Sequence, residues 1–68
     1  MHTITHNLSR EDILHVMQEI YSLRMLIGYA YLDYFGTIWC EQLTDALFIN
    51  DYLKRKGIKR QTHLDVTN

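Results

Sequence analysis

Five cations crowd one short stretch of this chain, Lys54-Arg55-Lys56-Gly57-Ile58-Lys59-Arg60, and they are the first residues whose type and spacing suggest chemistry. That chemistry would be electrostatic: neutralising nucleic-acid phosphates, or docking on an acidic protein surface. The remainder is acidic. Residues 1–53 hold two basic side chains, Arg10 and Arg24, against seven carboxylates, so a net charge of −1 hides a basic pole on an acidic body. No helix rich in base-reading Asn, Gln or Arg accompanies the pole. A nucleic-acid contact through Lys54, Arg55, Lys56, Lys59 and Arg60 would therefore be to the backbone and steeply salt-dependent. The plainer role for the same five residues is to complement a helix C-terminal dipole and solubilise a tail.

The other reactive side chains form weaker patterns. His2 and His6 stand four apart, a spacing that offers two metal ligands on a helix, but no carboxylate or cysteine joins them and the four histidines lack zinc-finger spacing. Ser9, Asp12 and His15 hold the residue types of a hydrolase triad; three apart on one helical turn, they suit capping and cannot place an oxyanion hole. Cys40 is the only cysteine. Near the start of a helix its thiol would be acidified, but with Trp39 beside it and no base, it reads as a small core residue. No catalytic, metal or cofactor motif emerges, so the expectation is a non-enzymatic protein that works by binding.

The elements that must position these groups read as helical. There is no proline and only three glycines, at 28, 36 and 57, which favours long uninterrupted helices. Residues 1–8 lack periodicity and read as a flexible arm. Ser9 is a good N-cap, with Asp12 three residues on. From there Ile13, Val16, Ile20, Leu23, Ile27, Ala30 and Tyr34 follow a 3–4 spacing, predicting helix 1 over about 9–35. Gly36 suits the left-handed position that ends a helix, and Thr37 can cap a second one over about 38–56. Gly57, followed by Ile58, would end helix 2, leaving 59–68 as a polar tail.

The expected fold is thus all-α: an antiparallel two-helix hairpin over 9–58. Its second helix carries two apolar faces, one with Trp39, Leu43, Ala46, Leu47 and Leu53, the other with Ile38, Phe48, Ile49 and Tyr52. That is more apolar surface than one hairpin hides, which predicts a homodimer closing into a four-helix bundle. Asn50, in the middle of the first stripe, would fix the register of that bundle. Arg24 and Asp33 would pair between the helices. A chain of 68 residues rarely gains more than ~3–5 kcal/mol from its own core, which also argues for association.

The resulting function is a small regulatory protein that dimerises and binds a larger protein, with Phe48, Tyr52, Ile49, Tyr31 and Trp39 as the contact candidates. The alternative is a nucleic-acid-binding regulator working through the basic cluster. By architecture alone such a hairpin dimer resembles compact regulators of bacterial, plasmid and phage origin. The lone thiol and the absence of a signal-peptide pattern place it in the cytoplasm. The 16 residues from Met25 to Cys40, broken by Asp33 and two glycines, are too few for a membrane span.

Overall fold

The computed structural model of the chain describes residues 1–56 and 63–66. It overturns the all-α hairpin and the four-helix bundle. The fold is α+β, with elements in the order β1 (His2–Thr5), α1 (Arg10–Leu23), β2 (Ala30–Leu32), β3 (Ile38–Cys40), α2 (Leu43–Arg55) and β4 (His63–Val66). The strands form one antiparallel sheet in the order β2-β3-β1-β4. β1 and β2 therefore run parallel with β3 inserted between them, and β3 and β4 flank β1 in the same way. This double split-βαβ arrangement is that of ferredoxin-like folds, an architecture shared by many unrelated functions.

Helix 1 starts as its sequence requires. The Ser9 hydroxyl accepts the amide of Asp12, and Glu11 and Asp12 place negative charge in the first turn. It stops twelve residues earlier than the periodicity suggested, at Leu23, where Arg24 turns left-handed (φ 55°) and its amide donates to the Tyr21 carbonyl. The reason lies beyond the helix. The Asp45 carboxylate, buried at the start of α2, accepts the amides of Ile27 and Gly28 at 2.9 and 2.8 Å. That fixes residues 24–29 as a loop clamped to α2. A Cβ on Gly28 would lie 2.7 Å from the Gln42 side chain, so only glycine lets the loop approach this closely.

Residues 29–40 form a β-hairpin where the sequence suggested a helix end and a helix start. Aliphatic and aromatic side chains alternate across it: Ala30, Leu32, Ile38 and Cys40 turn to the core, Tyr31 and Trp39 away. The turn is Asp33-Tyr34-Phe35-Gly36-Thr37. The Gly36 amide donates to the Asp33 carbonyl, the Asp33 amide to the Thr37 carbonyl, and Gly36 has φ +86°. This is a three-residue hairpin loop with glycine in the left-handed position. Gly36 does need a positive φ, as a helix C′ residue would; it uses it for a bulge. Thr37, expected to cap helix 2, lies at the foot of the hairpin, and α2 begins at Leu43 after Gln42, whose side chain makes no capping bond.

The presumed arm is the other large correction. Residues 2–5 are a central strand, paired with both β3 and β4, and Ile4 is completely buried. The core joins Ile4, Ile38, Cys40 and Ala30 of the sheet to Ile13, Met17 and Ile20 of α1 and Ala46, Ile49 and Leu53 of α2. Two polar contacts lash the helices together: the Tyr52 hydroxyl donates to Glu19 at 2.8 Å and Lys56 pairs with the same carboxylate at 2.7 Å, while Lys56 also lies 5.5 Å from the ring centre of its helix neighbour Tyr52. The expected stop at Gly57 and Ile58 falls outside the described residues. No helix among the described residues is long and apolar enough to cross a membrane.

Candidate functional site: the aromatic face of the sheet

Both helices cover one face of the sheet. The other carries the cross-strand rung Thr3–Trp39–Tyr31, contributed by β1, β3 and β2 in turn. Tyr31 and Trp39 lie parallel, with ring centres 6.3 Å apart and planes 7° from each other. Tyr29, at the start of the hairpin and 60 % exposed, adds a third ring 5.6 Å from Tyr31. Each such pair contributes about 0.5–1.5 kcal/mol beyond its area.

Asp33 organises this face. One carboxylate oxygen accepts the amides of Phe35 and Thr37, both at 2.9 Å, and the other accepts the Trp39 indole N–H at 2.8 Å. The indole bond, with the amides of Thr37 and Phe35 behind it, holds the Asp33 carboxyl below its ordinary range despite some opposing desolvation. The sign follows directly. The stabilisation is complete above the unfolded aspartate value of about 3.9 and is lost as pH falls through the lower folded one. Trp39 emission should therefore change in an acid step centred below about pH 4, and Asp33→Asn should abolish that step. An acid step that survives in Asp33→Asn would assign it to Glu19, which the Lys56 ammonium, followed by the Tyr52 hydroxyl, also holds low.

The hairpin tip is anchored from below. Arg10 Nη1 donates to the carbonyls of Asp33 and Tyr34 at 2.8 and 3.0 Å, and the His6 ring bridges the Leu8 amide, accepted at Nδ1 (3.0 Å), and the Gly36 carbonyl, met at Nε2 (2.6 Å). The Leu8 bond assigns the neutral ring with its proton on Nε2. Above these anchors Tyr34 and Phe35 stand 83 % and 88 % exposed, in edge contact with each other.

Of the five contact residues chosen from sequence, only Tyr31 and Trp39 share this face. Ile49 is wholly buried, and Phe48 and Tyr52 pack beside each other against the core, Tyr52 engaged with Glu19. In the basic cluster Lys54, Arg55 and Lys56 are all exposed, and two of them form surface ion pairs, Arg55 with Asp51 at 2.7 Å and Lys56 with Glu19. Lys59 and Arg60 lie outside the described residues. Asn50 sits half-buried on α2, where no helical seam exists for it to register, and its Oδ1 has no hydrogen-bond partner among the described residues. Arg24 and Asp33 do not pair; Arg24 ends α1 and Asp33 belongs to the hairpin.

The groups considered for catalysis are placed as structural parts. Ser9 caps α1, and His15 is exposed on that helix. Cys40 has no exposed surface, and burial, reinforced by Asp45, pushes its thiol up to about 11, so it stays protonated at neutral pH. Among the described residues no three His, Cys, Asp or Glu side chains converge to hold a metal ion. Sequence reasoning missed Asp45 and misassigned Asp33. The latter was recoverable from Asp-Tyr-Phe-Gly between two aromatic runs, a hairpin signature. No family model, curated protein or solved structure matches the chain.

Proposed function

We propose that the chain is a non-catalytic interaction module that captures a larger protein on the open face of its sheet. The observation that carries this reading is the parallel Tyr31–Trp39 pair, half-buried on a rigid sheet with its indole held by Asp33. Tyr and Trp dominate the hot spots of protein interfaces because they present large amphipathic surfaces with few rotors to freeze. Stacked rings can also serve as a platform for unpaired bases. Such a platform needs cations beside the rings, and among the described residues the charged group bonded to this row is the Asp33 carboxylate, while Arg55 and Lys56 lie on α2 and its cap beside acidic partners. A protein partner therefore fits the face better than nucleic acid.

The test replaces Tyr29 with a benzophenone amino acid and irradiates the protein in lysate, with the same group at His15 on α1 as control. One discrete protein adduct at position 29, absent at 15 and reduced at least about tenfold by Trp39→Ala, is the expected result, since a hot-spot ring contributes roughly 2 kcal/mol or more. Identical adducts from both positions would reject the face as a docking surface. A nuclease-sensitive adduct would transfer the role to nucleic acid.

A further inference from the structure

Among the described residues no strand pairs with one edge of the sheet. β2 is the terminal strand on one side. The Tyr29 carbonyl and the Asp33 amide point inward, bonding Glu41 and Thr37, the residues that flank β3, at 3.0 Å, and Tyr31 pairs with Trp39. Backbone groups alternate along an antiparallel strand, so Ala30 and Leu32 turn theirs outward. Of these, the Ala30 carbonyl accepts the Tyr21 hydroxyl at 2.6 Å; a carbonyl has a second lone pair to offer. Natural edges are blunted by lysine, proline or bulges. Residues 28–32, Gly-Tyr-Ala-Tyr-Leu, have none of these.

Above the edge runs an apolar groove of about 580 Å³ between α1 and β2, floored by Met17 and Leu26 and walled by Leu14, Gln18 and Tyr21. Leu14 and Tyr21 are 42 % and 46 % exposed, seven residues apart on one stripe of α1, with Gln18 exposed between them. None of the residues lining the groove carries a charge at neutral pH.

We propose that this edge and groove are the contact between two copies of the chain. The hydrogen-bonding pattern is self-complementary. Antiparallel pairing about Tyr31 sets Ala30 of one copy against Leu32 of the other, so each outward amide meets an outward carbonyl. The helix layer is self-complementary about Gln18, with Leu14 of one copy facing Tyr21 of the other. The neutral lining leaves no like charges to repel across the two-fold axis. A three-residue ladder alone is too small for a stable interface, which covers roughly 800 Å² on each partner, and the α1 stripe supplies the second layer. Two four-stranded sheets become one of eight strands. The Tyr31 rings of the two copies become neighbours, and the rows Trp39–Tyr31 merge into a single strip on the open face. The inference does not depend on what that face binds.

Sedimentation velocity of the full chain across a dilution series, with amide hydrogen exchange at each concentration, tests it. The expected result is a monomer–dimer equilibrium in which the Ala30 and Leu32 amides become protected with dimerisation, while the Tyr31 amide is protected throughout. Gln18→Glu and Gln18→Lys, on an exposed helix position, should each raise the dissociation constant at least about tenfold, and mixing the two should restore dimers. A monomer at every concentration overturns the proposal, as does a dimer whose Ala30 and Leu32 amides still exchange freely. Dimerisation indifferent to both Gln18 charges overturns the two-layer geometry. Protection of the two amides in a monomer only on adding an extended apolar peptide would assign the edge to a peptide instead.

Discussion

A chain lacking residues 1–6 is expected to lose cooperative unfolding altogether. β1 lies between β3 and β4, so removing it deletes two ladders, unroofs the fully buried Ile38 and Ile49, and discards Ile4 itself. Burying one isoleucine contributes about 2–5 kcal/mol by the measure of Ile→Ala substitutions. A core of this size supplies only ~3–5 kcal/mol in total. The truncated chain should show a broad, non-cooperative urea profile by far-UV circular dichroism and no fixed Trp39 environment. The helical-hairpin reading makes the opposite forecast, since a flexible arm can be removed at no cost. A sharp transition in the truncated protein would remove residues 2–5 from the sheet.

Asp45→Ala should come close to the same result with a single substitution. The Asp45 carboxylate is 2 % exposed and accepts the amides of Ile27 and Gly28, so alanine leaves two donors facing a site built for an anion. Losing a hydrogen bond to a charged group costs about 1.5–3 kcal/mol, so about 3–6 kcal/mol is expected for the two. Asp45→Asn keeps one acceptor oxygen and should cost roughly half as much. Urea unfolding followed by Trp39 fluorescence measures both. Near-equal midpoints for Asp45→Ala and the unsubstituted protein would mean that the 24–29 loop holds without its clamp, and the account of why α1 ends at Leu23 would fail.

These two results would also explain where reading the chain as helices went astray. The helical elements whose signals are local were legible. Ser9 caps α1 through the Asp12 amide, Ile13 and Ile20 face the core, and Ala46 and Leu53 line the buried stripe of α2. A 3.6-residue period is written into a helix by its own side chains and can be recognised without knowing what it packs against. Tyr31 and Trp39 were both among the contact candidates, although on two different helices and not as a stacked pair.

The strands were hidden for a physical reason. Three or four residues show at most two turns of alternation, and in Tyr29–Leu32 both faces are apolar, so the period of 2 that marks a half-buried strand is masked. Thr3-Ile4-Thr5 offers one apolar side chain, too few to distinguish a central strand from a frayed end. Gly36 deepened the ambiguity, because a left-handed glycine ends a helix and closes a hairpin equally well. Asp45 carried no signal of its own in the sequence, and its burial became visible only with the loop it clamps.

Residue chemistry alone determined the charge asymmetry, the first helix start and only part of each helix's core stripe, because these depend on neighbours within a turn of the chain; Ile13, Ile20, Ala46 and Leu53 are buried as their spacing suggests, whereas Leu23, Leu43 and Leu47 of the same stripes are exposed and Met17, outside them, is core. The tertiary structure decided the rest. The Gly28 amide's bond to a carboxylate 17 residues away separates a clamped loop from a helix, and the ladders of β1 with β3 and β4 separate a central strand from a tail. Those long-range bonds, and the burial of Ile4 that they permit, are what place Tyr31 and Trp39 side by side on an open face and leave the β2 edge uncovered.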